Sequence, residues 1–360
     1  MEETIDEGLA LRLLDRAAIV VARSELEERV AGRRVLVTGA GGSIGAELAR
    51  LLATCDVGQL VLLDQSEQAL FWIGEALRTT PLASGRAHSV LGSVTDAGLL
   101  EEIITAARPD IVFHAAACKH VALVEHNPVA AARVNVLGTQ MLLRACRAAA
   151  VPNFLLVSSD KAAEPASVMG ATKRAAERLV AAEAGDGRSY ASVRFGNVLG
   201  SSGSVLPVFQ RRLLEGLPLE IRDTGATRFF MTAREAGQLL VLASGLARPG
   251  DLLMLNTGEP LSILTLAQRL LAQCPPAQRD AISAAHGDLL TVTELVGGEK
   301  RHETLAGGLT PEPTSSPWVS RLTPADLGHD GLIGGVDRLA ECCASRDGEG
   351  VVRELRKLCA

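Results

Sequence analysis

The stretch RRVLVTGAGGSIGAELARLLA, residues 33–53, limits what this chain can fold into more than any other. A short β-branched run meets a glycine-rich turn, and the turn meets a helix with one apolar side. Gly39, Gly42 and Gly45 permit a tight turn and a close backbone approach to a pyrophosphate. The helix starting at Ser43, with Ile44 and Gly45 in its first turn, offers N–H groups and a positive dipole end. The next apolar run, QLVLLD, ends at Asp64, at the spacing of a carboxylate that binds an adenosine ribose, and Ser66 follows close behind. Asp64 would repel a 2′-phosphate, and no Arg follows it in DQSEQ, so NAD is expected over NADP.

Further strands alternate with helices at regular spacing: AHSVLGSVTD, PDIVFHAAA, NFLLVSSD and SYASVRFGNVLG. This predicts an α/β fold, a Rossmann-type doubly wound parallel sheet, with a smaller C-terminal lobe for a second ligand. The expected divisions are a helical lead-in over 1–30, a nucleotide-binding domain over 31–200, and a mainly substrate-binding lobe over 201–360 that interleaves with it. PLEIRD and LLMLNTG read as short strands of that lobe, and residues 306–320, AGGLTPEPTSSPWVS, as a Pro/Ser/Thr-rich loop. At 360 residues and 47% hydrophobic, the chain can bury a large core. A net charge of -6 without a basic block argues against nucleic acid. No apolar run approaches the roughly 18 residues of a membrane span, so a cytoplasmic protein is expected. The seven cysteines contain no C-x-x-C and suggest reduced thiols without a metal site.

The chain has five lysines, at 119, 161, 173, 300 and 357, against 31 arginines. Where such a chain keeps Lys, the position calls for an amine, because Arg cannot give up its proton in a protein. Three of the five lie between 119 and 173. Two fall in SSDKAAEPASVMGATKR, residues 158–174. Many nucleotide-binding oxidoreductases carry Tyr-x-x-x-Lys at such a position, but Met169 stands four residues before Lys173. Met169 has no ionisable proton. The sole tyrosine, Tyr190, has Arg194 four residues on.

Seven stretches carry a family resemblance: VLVTGAGGSIGAELARLL, VFHAAACKHVALVEHNP, NVLGT, SSDKAAEPASVMGATKRAAE, RFGNVLGSSGSVLPVF, TRFFMTAREA and GGEKRHETL. In this order they resemble the extended short-chain dehydrogenases that act as UDP-N-acetylglucosamine 4,6-dehydratases in capsule, polysaccharide and flagellin-glycan synthesis. The form with Met at the tyrosine position resembles this chain best. Larger members have membrane helices and a further domain ahead of the glycine turn, and residues 1–30 resemble the last connector of that longer form.

The resemblance implies that NAD takes hydride from C4 of a UDP-sugar, that water leaves across C5–C6, and that the hydride returns to C6. It assigns Lys161 as the C5 base and Asp160 as the acid for the C6 hydroxyl. Lys173 holds the nicotinamide ribose. The C4 hydroxyl proton falls to Ser159 with water, or to Asp160, and Met169 shapes the wall over the sugar or nicotinamide. Ser93, Val94 and the small residues Ala115, Ala116 and Ala117 are expected along the cofactor, and Lys119 at the cofactor or substrate. Asn135, Asn197, Ser204, Arg228 and Glu299 are expected on the substrate side, with Arg228 for the phosphates. Helices over 138–150 and 169–184 suggest pairing into a homo-oligomer.

Four positions depart from the family pattern. Ser93 replaces an Asp that contacts adenine, and Cys118 an aromatic or Leu. Ser202 and Val296 each replace an Arg on the side where UDP binds, which removes forked phosphate contacts unless Arg222 or Arg301 compensates. A 4-epimerase or simple dehydrogenase on the same scaffold, or a non-catalytic NAD-binding regulator, are the alternative readings.

Overall fold

Apolar runs too short for helices line up as one mixed sheet in the computed structural model, which describes residues 6–80, 82, 85–323 and 331–359. The first five residues of the expected lead-in, and 324–330 and 360 of the expected C-terminal lobe, lie outside the described residues. Among the described residues the sheet has nine strands. They are β1 (Arg34–Thr38), β2 (Gln59–Asp64), β3 (Ala87–Leu91), β4 (Ile111–His114), β5 (Asn153–Val157), β6 (Ser189–Arg194), β7 (Leu252–Leu255), β8 (Thr310–Pro313) and β9 (Val319–Thr323). Their order across the sheet is β3-β2-β1-β4-β5-β6-β7-β9-β8. The first seven in chain order run parallel, and β9 and β8 close one side antiparallel. The order reverses at β1, where Thr38 is level with Leu63 of β2 and His114 of β4. In such a doubly wound sheet the crevice beyond the strand C-termini at the reversal takes the ligand.

The helices around this sheet include α1 (Ser43–Leu52), α2 (Glu67–Leu77), α3 (Ala97–Ala107), α4 (Thr139–Ala148), α5 (Val168–Glu183), α6 (Leu332–Ala344) and α7 (Gly348–Cys359). Polar caps set where several begin. Ser66 accepts from Ala69 N for α2, Asp96 from Leu99 N for α3, and Ser167 from Gly170 N for α5. Each such cap is worth about 1 kcal/mol.

Helix α7 packs on α5. Its apolar side chains Val351, Leu355 and Leu358 are buried in the same core as Ala175, Leu179 and Val180 of α5, at about 1.5–3 kcal/mol for each large side chain. Arg178 of α5 donates to Leu358 O at 2.6 Å, and the Cys359 thiol reaches Ala171 O at 3.5 Å. The part of α5 carrying Ala171 and Arg178 is thus covered by the chain's own C-terminal helix.

The chain divides into two interleaved units. The larger takes in Val20–Phe195, Gly237–Asn256 and Thr304 onward, and holds the whole nine-stranded sheet. The smaller takes in the chain up to Ile19, Gly196–Ala236 and Thr257–Glu303. It has three two-stranded pairings and its own core around Leu206, Phe209, Leu219, Ile221 and Leu266.

Two expectations need correction. LLMLN is not a strand of the smaller lobe. It supplies β7, which pairs parallel with β6. The Pro-rich segment 306–320 is not all loop, because Thr310–Pro313 forms the edge strand β8. Pro311 and Pro313 are two apart, so both turn their missing N–H to the open edge, where no ladder bond is lost. Among its described residues, the lead-in has two helices, Glu7–Leu14 and Arg23–Val30. The first ends at Asp15, which takes a left-handed conformation with φ 55°.

Candidate active site

At the C-terminal ends of β1, β2 and β4 lies a cleft of about 310 Å³ lined by Gly39, Gly41, Gly42, Asp64, Ser66 and Ala115–Cys118, among others. Gly39 has φ +69°, and a Cβ there would meet Ala116 N at 2.5 Å. A side chain on Gly41 would meet Ala69 Cβ at 2.3 Å and the Asp64 carboxyl at 3.2 Å. The turn therefore has no room for a side chain at Gly39 or Gly41, and both residues line the cleft. Gly42 is the N-cap of α1, so the first-turn N–H groups of Ser43, Ile44 and Gly45 lie at the helix N-terminus beside it.

Asp64 accepts from Gly41 N at 2.8 Å and from Ser66 N at 2.9 Å, which locks the β2 end to the turn. Ser93 and Val94 line the same cleft, with Ser93 Oγ 2.8 Å from Thr95 Oγ1. Ala115, Ala116 and Ala117 form its far wall, and exposed Lys119 follows. A narrow cleft with a bare glycine turn, a helix N-terminus and one carboxylate fits a dinucleotide without a 2′-phosphate.

The second cluster sits where β5 ends. Ser159, Asp160 and Lys161 form a tight turn capped by Ser159 itself. Lys161 Nζ donates to Asp160 Oδ1 at 2.9 Å, and Ser159 Oγ donates to the same oxygen at 2.8 Å. Asp160 is 1% exposed, and its Oδ2 is buried without a hydrogen-bond partner. That orphan oxygen is costly in a merely structural site. Lys173, on α5, donates to Val157 O at 2.9 Å, three residues before Asp160. Burial lowers its pKa to about 8, against the opposing pull of Glu177.

Met169, expected to shape the site wall, is 3% exposed and belongs to the apolar core. Tyr190 is fully buried, and its hydroxyl donates to Val151 O at 3.0 Å. Burial pushes that phenol up, far from any role as a base.

Asn135, expected on the substrate side, turns its amide on the protein. It accepts from Cys118 N at 2.8 Å, donates to Cys118 O at 2.9 Å, and donates to Thr172 Oγ1 at 2.9 Å. It lies in a π-helical turn, Arg133–Gly138. It pins the cleft wall at Cys118 to the residue next to Lys173.

A polar line under the cleft was missed by sequence reasoning. His114 Nδ1 is 2.6 Å from Thr38 Oγ1, and its Nε2 is 2.9 Å from Thr139 Oγ1. Thr139 donates its own proton to Asn135 O. Its oxygen therefore accepts from Nε2–H, and His114 Nδ1 accepts from Thr38. Burial, with the Lys173 charge adding to it, lowers the His114 pKa to about 3. The signal was a polar residue closing each of two apolar runs, VLVT and IVFH.

The other expected substrate residues lie in the smaller unit. Asn197 begins a short parallel pairing with Phe230–Met231. Ser204 is the N-cap of the helix Val205–Leu214, with its Oγ buried and unpartnered. Arg228 is nearly buried and donates to Thr227 O at 2.7 Å and Arg301 O at 3.0 Å. Glu299 pairs with Arg222. Arg301 pairs with Asp223 at 3.0 Å. Arg222 and Arg301, the arginines that could compensate for the replaced ones, thus already hold carboxylates.

A family model described as a polysaccharide biosynthesis protein matches residues 35–315. The chain is 39% identical over 260 residues to the probable polysaccharide biosynthesis protein EpsC of Bacillus subtilis, covering 72% of this chain and 44% of that protein. It therefore spans less than half the length of that relative. It is 32% identical over 281 residues to a UDP-N-acetylglucosamine 4,6-dehydratase (inverting) of Campylobacter jejuni, covering 76% of this chain and 77% of that one. Among solved structures, Pen from Bacillus thuringiensis matches with a TM-score of 0.70 at 27% identity, covering 83% of this chain and 90% of that one. Among the described residues no helix is long and apolar enough to cross a membrane.

Proposed function

The chain belongs to the polysaccharide biosynthesis protein family of extended short-chain dehydrogenases, and from that premise we propose that it is an NAD-dependent nucleotide-sugar 4,6-dehydratase. The substrate class is a UDP-sugar, with UDP-N-acetylglucosamine as the first to test. The observation that carries this reading is the hydrogen-bonded Asp160–Lys161 pair at the end of β5, within three residues of the carbonyl that holds Lys173.

Bound NAD would supply the hydride acceptor for C4 and the hydride donor for C6. Gly39, Gly42, the first turn of α1 and Asp64 would hold its pyrophosphate and adenosine ribose, and Lys173 its nicotinamide ribose. The C4 hydroxyl proton leaves by Ser159 Oγ, toward water or toward Asp160 Oδ1 at 2.8 Å. Elimination then needs a neutral amine and a protonated carboxyl at once. When water has taken the C4 proton, one proton shift along the 2.9 Å Lys161–Asp160 bond supplies both, and a proton from water restores Lys161 at the end. When Asp160 has taken it, Asp160 is already the acid, and Lys161 gives its proton to water and regains one at the end. Lys161 takes the C5 proton, Asp160 gives its proton to the C6 hydroxyl, and water leaves. Lys161 returns its proton to C5, and the product is a 4-keto-6-deoxy sugar.

The 4-epimerase reading is weaker here. It calls for a group that exchanges the C4 hydroxyl proton as a phenol does, and the sole phenol is spent on Val151 O inside the core. Incubation with UDP-N-acetylglucosamine and NAD separates the readings. A dehydratase product lacks the mass of one water, an epimerase product has unchanged mass, and a regulator yields neither.

A further inference from the structure

The turn that carries Asp160 and Lys161 is tied down by a buried ion pair outside the site described above. Glu177 and Arg194 are both fully buried. Arg194 Nε and Nη2 reach the two Glu177 oxygens at 2.8 and 2.7 Å, a forked contact. Ser158 Oγ donates to Glu177 Oε1 at 2.6 Å, just before the turn. Arg194 Nη2 donates to Ala162 O at 3.4 Å, just after Lys161. Its Nη1 donates to Leu305 O at 3.2 Å.

The turn is also clamped between two glycines. A Cβ on Gly170 of α5 would meet Lys161 O at 2.3 Å, and one on Gly307 would meet Ala163 O at 2.6 Å.

A buried ion pair adds little net stability compared with apolar side chains of the same size. What this one does is fix register. Glu177 is one helical turn beyond Lys173 on α5, so a single carboxylate sets the height of the Lys173 helix against the Asp160–Lys161 turn. We propose that Glu177 and Arg194 are positioning residues for proton transfer by that turn, an inference that rests on the dehydratase reading. Neither touches substrate or cofactor. They hold Asp160 and Lys161 within reach of C5 and C6 while Lys173 holds the nicotinamide ribose.

The test is the double variant Glu177→Leu/Arg194→Met, which removes both buried charges; Arg174, 3.4 Å from Glu177 Oε2, loses that partner but is partly exposed to water. The milder Ser158→Ala, which cuts one tether, stands beside it in case the double variant does not fold. Expected for the double variant are a native melting profile, KM within about threefold, and kcat down by about 10- to 100-fold, the scale of an ångström-level misplacement. Ser158→Ala should lower kcat by about three- to tenfold. Hydrogen exchange should quicken about tenfold or more at the Ala162 and Ala163 amides in either variant. Folded variants with unchanged kcat and unchanged exchange overturn the inference. If the wild type removes water from no nucleotide sugar, the dehydratase reading fails by itself. Exchange then decides the tether alone: faster exchange supports it, and unchanged exchange overturns it.

Discussion

Lys161 Nζ stands 2.9 Å from Asp160 Oδ1, while Asp160 Oδ2 is buried with no donor. One oxygen of this carboxyl is fully employed and the other is stranded. Asp160→Asn keeps the shape and removes the proton that the leaving hydroxyl needs. The expected outcome is a fall of about 10²- to 10⁴-fold in kcat. Thermal or urea unfolding should show a stability loss of no more than about 1 kcal/mol, because Lys161, which loses its partner, keeps contact with water. Retained activity with a large loss of stability would contradict a catalytic role.

His114 gives the protein an acid weakness. Its folded pKa of about 3 lies below the ordinary 6.5. The unfolded chain therefore takes up a proton below pH 6.5 that the folded chain refuses. This contribution to stability is complete above pH 6.5 and drains away as pH falls toward 3. It amounts to roughly 2–3 kcal/mol by pH 4.5, as an upper bound. Urea unfolding of His114→Gln should show a shallower loss from pH 6.5 to 4.5 than wild type, and parallel slopes would contradict the account.

Lys173 sets an alkaline limit. Its pKa of about 8 means an ammonium below pH 8 and a neutral amine above it. Cofactor affinity that draws on this charge should weaken about three- to tenfold between pH 7 and 9.5. Fluorescence titration with NAD at stepped pH checks it, and a flat profile contradicts it. The folded state itself moves the other way. The unfolded chain holds the proton up to pH 10.5, so stability from this group rises between pH 8 and 10.5.

On the proposed reading, Asp64 would set cofactor choice. Its carboxylate holds Gly41 N and Ser66 N and lines the cleft. Asp64→Asn should weaken NAD by about 10-fold or more and NADP much less, so the preference narrows. Equal titration curves for wild type and variant would remove Asp64 from the ribose site.

Several parallel strands were readable because they are apolar runs between turn residues, as in QLVLLD and PDIVFH. The place of LLMLN in the main sheet was not, because pairing with β6 is a long-range choice that no local pattern records. Thr310–Pro313 was hidden by its two prolines, which mark an edge as readily as a loop. The glycine turn and the Asp160–Lys161 pair were visible as motifs. Glu177 and Arg194 were not, since a Glu on a helix and an Arg closing a strand each read as surface until the fold buries them against each other. Asn135 was seen as important, but its amide serves Cys118 and Thr172, a role that only proximity reveals.

Product analysis in heavy water reaches the central claim most directly. Wild type with NAD and UDP-N-acetylglucosamine in D₂O should give a sugar that has lost one water and carries deuterium at C5, while Lys161→Met should lose both at least about 10²-fold. Water loss and C5 labelling at undiminished rate in Lys161→Met would contradict it.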